Sequence, residues 1–221
     1  MNFPATLFPS AWHWVAAILS VVVLFRVAVG APWRRLATNT QRNLLFGLAI
    51  ALALLWSMKA GVRPGLNLHL MGAMAATLAL GPHFAVLSMA IALTALAANG
   101  GIAWDAWPIN FVLMVLVPVG AARLLQRVVE ATLPSHFFIF IFVLSFAGSA
   151  VVVVLQGLVA SIAMVAAGAY PFEFLASEYL PYFILLGFSE AWISGAVITL
   201  LVVYRPEWVW AFDDKRYLIG K

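Results

Sequence analysis

The chain has 221 residues, 65% of them hydrophobic and only 9% charged, against roughly 45–50% apolar and 25% charged in soluble domains. That excludes a soluble globular protein and places the chain in a lipid bilayer as a multi-pass protein. The formal charge of +4 belongs to Arg and Lys side chains that flank apolar runs, the distribution of topology determinants and not of a nucleic-acid surface, and the absence of cysteine rules out disulfides and thiolate metal sites.

A membrane-spanning helix needs ~20 mostly apolar residues, fewer when buried in a bundle. On that rule the chain forms a single transmembrane domain, 1–221, an all-α bundle of about seven spans. In order these are 11–30, 44–60, 66–80, 84–98, 108–127, 137–168 and 180–204. The first positive charge, Arg26, follows the apolar run Ala11 to Leu24, so this run reads as a retained helix and not a signal peptide. Pro32, the turn Gly61 to Gly65, Gly81-Pro82, Gly100-Gly101, Pro134 and Pro171 mark the joints.

The third candidate span, GLNLHLMGAMAATLALGP from Gly65 to Pro82, is rich in small residues that let neighbouring helices approach backbone to backbone. It reads as a central helix with one imidazole, His69, about a turn inside a membrane face. The sixth segment is too long for one straight crossing and predicts either a kink near Gly148-Ser149 or Gln156-Gly157, or a projection beyond the bilayer.

Charge sets the orientation. With the N-terminus outside and seven crossings, Arg26, Arg34, Arg35, Arg42, Arg123, Arg127, Arg205, Lys215, Arg216 and Lys221 face the cytoplasm, leaving Lys59 and Arg63 outside. Splitting the sixth segment in two would put the basic C-terminal tail outside. The expected place is therefore the bacterial plasma (inner) membrane, with the C-terminus cytoplasmic.

This topology gathers polar residues from distant parts of the chain at the outer side: the amine of Met1, His69, Asn99 at the end of the fourth span, and Asn110 at the start of the fifth. A small cation site in a bundle needs such a convergence. From spacing alone the two asparagines read as helix-end caps, and His69 stays open between a ligand and an imidazole bonded to a carbonyl. His13, between Trp12 and Trp14, reads as part of an interfacial aromatic belt. Glu190 is the carboxylate inside a span, near the bilayer midplane, where an ionised group costs at least ~2.5 kcal/mol unless paired or protonated. Its two readings are a functional group and a bond across helices to Gln156, Ser145 or Ser149.

Four stretches carry a family likeness: the opening MNFPATLFPSAW, the third helix LHLMGAMAATLALGP, NGGIAWDAWPIN running through Asn99 and Asn110 to Arg123, and the last helix FSEAWISGAVITLLVVYRPEW. Together they resemble the CbiM/NikM family, the substrate-capture membrane components of energy-coupling-factor transporters for cobalt and nickel. The resemblance implies a flat nitrogen cage made of the amine of residue one, the backbone amide and imidazole of residue two, and the histidine of the third helix. Carried to this chain, that points to Met1, Asn2 and His69 as the metal set, with Asn99, Asn110 and Glu190 as a supporting shell or pathway. Planar nitrogen donors suit Co2+ or Ni2+ as the transported substrate over zinc or magnesium. No redox cofactor is implied. Met1 is retained because aminopeptidase trims before small residues and Asn2 is not small. The sequence departs from the family at Asn2, a carboxamide where the family has an imidazole, and at Asn99, where it often has a histidine.

The chain has no G-x-x-x-x-G-K-[ST], and its lysines, Lys59, Lys215 and Lys221, lie outside glycine-rich loops. Energy would come from partners, which the resemblance gives as a transmembrane coupling protein and ABC ATPase subunits. With no H-E-x-x-H, no G-x-S-x-G and no carboxylate pair in one span, an enzyme is not expected. The alternatives are a non-transporting accessory or assembly protein of the same fold, which the missing imidazole at Asn2 favours, and a capture subunit for a different metal or small substrate.

Overall fold

The computed structural model describes residues 2–61, 63 and 65–218. After a 3-10 turn at Ala5–Leu7, the chain runs through helices α1 (Ser10–Gly30), α2 (Asn39–Ser57), α3 (Ala73–Leu80) and α4 (Pro82–Ala98). Then come α5 (Trp107–Phe111) and α6 (Val117–Thr132), α7 (Gly148–Ala166), α8 (Phe172–Glu178), α9 (Leu180–Tyr204) and the short α10 (Asp214–Tyr217). Two short strands, β1 (Ala60–Gly61) and β2 (Asn67–Leu68), pair antiparallel between α2 and α3. Wide π-turns join α5 to α6 at Val112–Leu116 and lead into α7 at Ile139–Ala147.

Four helical stretches, Ser10–Gly30, Trp104–Thr132, Ile139–Ala166 and Leu180–Tyr204, are long and apolar enough to cross a bilayer by themselves. The helix α4 is a shorter apolar one, and α2 begins in the polar run Asn39 to Asn43. α1 lies at the rim: Trp14, Val15, Ile18, Val21, Phe25 and Val29 are exposed, as a lipid-facing surface requires.

The third expected span is where sequence and structure part. A helix over 66–80 is expected, but only Ala73–Leu80 is helical; 66–72 is non-helical, with Leu68 paired to Ala60 and Asn67 to Gly61 in the short strand β2. Gly65 and Gly72 bracket the non-helical piece, both at positive φ (77° and 66°), a conformation that ends helices and that side chains with a Cβ rarely adopt. His69 and Met71, which follow β2, are both buried. The half helix is about 12 Å long at 1.5 Å per residue. As expected of a central element, all its residues are buried, and it packs on α4, α6, α7 and α9.

A half helix inside a bundle leaves unpaired backbone groups at both ends. At its start, Met71 N and Gly72 N donate to the two carboxylate oxygens of Glu190 at 2.8 and 2.7 Å. At its close, Ala211 N donates to Leu78 O and Trp210 N to Ala79 O, both at 3.0 Å, and Arg35 Nη1 donates to Leu80 O at 3.2 Å. Anion at the start and cation at the end also match the helix dipole. The C-terminal segment is thus a strap across the base of α3, and Phe212 and Tyr217 fix it against the buried Phe140, with ring centroids 5.0 Å from it.

The long segment changes from π to α winding at Gly148, one of the places where a kink is expected. The other π stretch has a proline as its cause. In that winding Val117 N reaches Val112 O, so the next donor would be Pro118, which has no N–H. Leu113 O accepts instead from Gln156 Nε2 on α7, at 3.3 Å.

α7 and α9 cross closely because glycines face aromatic rings: a Cβ on Gly157 would sit 2.5 Å from the Phe183 ring, and one on Gly195 equally close to Phe146. Gly157→Ala is therefore expected to destabilise by about 1–3 kcal/mol through overpacking. Gly120→Ala, with open space around the new methyl, is expected to lose nothing; thermal unfolding of the two variants in one detergent checks the difference.

Candidate functional site

The end of the bundle that carries Asn2 is assembled from three separate pieces of chain: residues 2–8, the β1–β2 hairpin with the segment to Met71, and the loop between α4 and α5. Asn110, fully buried at the start of the fifth span, joins the first piece to the bundle. Its Oδ1 accepts from Phe3 N at 2.9 Å, while its Nδ2 donates to Phe3 O at 2.8 Å and to Ala106 O at 2.8 Å. A carboxamide can do this because it presents donor and acceptor in one plane, as a peptide does. The asparagine expected as a helix cap is instead a bracket that holds the backbone of residue three.

Packing finishes the placement. Phe3 is buried with its ring edge on Phe8, centroids 6.1 Å apart. His13 Nε2 lies 3.0 Å from Ala5 O, so the N-terminal segment folds back on α1 and the imidazole expected in the aromatic belt holds this turn. A Cβ on Gly65 would meet Leu7, Pro4 and Phe3 at 2.3, 3.4 and 3.7 Å, so the segment lies directly on Gly65, four residues before His69. Asn2, buried at 6% exposure, lines with Asn67, Lys59 and Asp105 a cavity of about 350 Å³ between these pieces.

His69 itself is buried, with its ring 5.8 Å from that of the fully buried Trp56 and its Nδ1 3.1 Å from Leu70 O. A carbonyl only accepts, so Nδ1 carries the proton in this contact. Glu190, buried in α9, accepts from Met71 N, Gly72 N and Ser194 Oγ, the last at 2.9 Å. Those partners replace the expected Gln156, Ser145 or Ser149: the hydroxyls of Ser145 and Ser149 bond to carbonyls of their own helix, and Gln156 serves Leu113 O.

Of the expected site residues, Asn110 bonds the backbone of the residue after Asn2, and Glu190 bonds the amides two and three residues after His69. Met1 lies outside the described residues. Asn99 is exposed at the C-terminal cap of α4, its N–H closing on Ala95 O at 3.0 Å, and does not line the cavity. Sequence reasoning missed Trp56 beside His69, since that contact depends on how α2 crosses the segment before α3. Among the described residues no three His, Cys, Asp or Glu side chains gather. A metal at this end would therefore need donors of other kinds beside His69, such as the terminal amine and backbone nitrogen.

The family described as the cobalt uptake substrate-specific transmembrane region matches residues 2–208. Two solved structures share the fold. A truncated transition metal transporter superposes with a TM-score of 0.79 at 17% identity, over 92% of this chain and 99% of its own. A transition metal transporter does so with a TM-score of 0.77 at 18% identity, over 91% and 92%. No curated protein matches in sequence.

Proposed function

Because the chain belongs to the family of cobalt uptake substrate-specific transmembrane regions, we propose that it is the substrate-capture component of an energy-coupling-factor transporter and takes up cobalt or nickel as the divalent ion. The observation that supports this reading is the Asn110 bracket on Phe3, in a segment that packs against Gly65, four residues before His69. A terminal amine, a backbone amide nitrogen and the Nε2 of a buried, tautomer-fixed imidazole form a nitrogen-rich set suited to those ions. The candidate ligands are Met1, Asn2 and His69, with the N-terminus outside and the C-terminus in the cytoplasm of a bacterial plasma membrane. ATP hydrolysis falls to partner ATPases reached through a transmembrane coupling protein.

Asn2 favours a second reading. Its carboxamide is a weaker donor than imidazole, which suits an accessory protein that assembles with other subunits without carrying metal, or a capture subunit for a different substrate. Metal content separates the two. Chain purified from cells with its own N-terminus is expected to hold about one nickel or cobalt ion, and chain extended before Met1 to hold none, because the amine then becomes an amide. Metal-free protein in both forms would favour the accessory reading.

A further inference from the structure

Glu190 stands near His69 in the bundle but does not touch its ring. The two are linked by one peptide unit. Its N–H, on Met71, donates to Glu190 Oε2 at 2.8 Å; its C=O, on Leu70, accepts from His69 Nδ1 at 3.1 Å. The other carboxylate oxygen takes Gly72 N at 2.7 Å. Successive N–H groups converge there because Gly72 turns into the left-handed region at φ 66°, which makes an anion-binding concavity of the backbone.

We propose that Glu190 is a positioning residue for His69, acting through the Leu70–Met71 peptide. A carboxylate on the N–H side of an amide draws that hydrogen bond tight and polarises the carbonyl on its other side, so the carbonyl becomes a stronger acceptor. The stronger acceptor holds the His69 proton on Nδ1 and fixes the ring plane, which leaves Nε2 the better donor. Histidine ligands are commonly tuned by a carboxylate or carbonyl on the second ring nitrogen, with affinity changes of about 10- to 100-fold on removal; here both kinds of partner act in series. Ser194 Oγ, at 2.9 Å from Oε1, moderates the carboxylate. For metal capture this rests on the reading above, whereas the relay itself is a property of the metal-free chain.

The test uses the full chain in nanodiscs, labelled with ¹⁵N at histidine and free of metal. His69 signals are assigned by their loss in His69→Gln. Wild type is expected to show a single tautomer with the proton on Nδ1 and that proton shifted far downfield. In Glu190→Gln the resonance is expected to move upfield, and in Ser194→Ala, where the carboxylate loses a donor, slightly further downfield. Should Glu190→Gln fail to fold, Ser194→Ala alone decides. Unchanged His69 spectra in the folded variants would overturn the relay. A nickel titration of the same samples then predicts binding weakened by about 10- to 100-fold in Glu190→Gln. Wild type that binds no nickel would sink the capture reading and leave the spectra to judge the relay.

Discussion

Asn110→Leu is expected to release the N-terminal segment from the bundle and to abolish metal retention while the rest of the fold survives. The side chain makes three hydrogen bonds, two of them to the N–H and C=O of Phe3, and the site is fully buried. Leucine is similar in size but offers neither donor nor acceptor. Each orphaned backbone group costs about 1–3 kcal/mol, so residues 2–8 lose roughly 2–6 kcal/mol of anchoring. Asn110→Asp is no rescue, since it keeps one bond and sets an oxygen against the carbonyls of Phe3 and Ala106. Amide exchange at Phe3, read with metal content, measures the outcome. A Phe3 amide as protected in Asn110→Leu as in wild type would contradict the bracket.

The same residue shows what the sequence conveyed and what it did not. That Met1, Asn110 and His69 belong to one end of the bundle is the expectation that counting spans and charges gives; the structure shows Asn110 bonded to the backbone of Phe3. What Asn110 does at that end depends on where residue three lies in space, and no spacing along the chain encodes that. Glu190 was legible as a buried carboxylate that needs partners, yet serines one helix away were the expected ones, because backbone N–H groups leave no mark in a sequence. The last helix was read to its bounds at 180–204, since its apolar run ends at Arg205 and Pro206. The third failed for a physical reason: LNLHLM is too short for its period to tell strand from helix, and the handedness of Gly65 and Gly72, which decides the matter, is set by their neighbours. Asn99 seemed comparable to Asn110 by position, but the glycine pair after it turns the chain outward and leaves it exposed.

A chain ended at Arg205 is expected to be severely destabilised, although the truncated residues lie beyond the last long helix. Two carbonyls at the base of α3, on Leu78 and Ala79, lose their donors, and Trp210 no longer covers Gly81, where its ring lies about 3 Å from a Cβ position. Phe212 and Tyr217 also leave the pocket they share with Phe140. Each buried aromatic contributes about 1.5–3 kcal/mol and each orphaned carbonyl about 1–3, so the loss exceeds about 4 kcal/mol. A chain ended at Leu218 keeps every one of these contacts and is the control. Melting in detergent should separate them widely; similar transitions would show that the strap is ornamental to α3.

The proposed capture rests most on the meeting of a free amine with one imidazole. The direct measurement is an equilibrium titration of nickel and of cobalt into chain bearing its own N-terminus, beside His69→Ala. Saturable binding near one ion per chain that vanishes in His69→Ala is the predicted result. Binding of equal strength in the two proteins, or in neither, would contradict it.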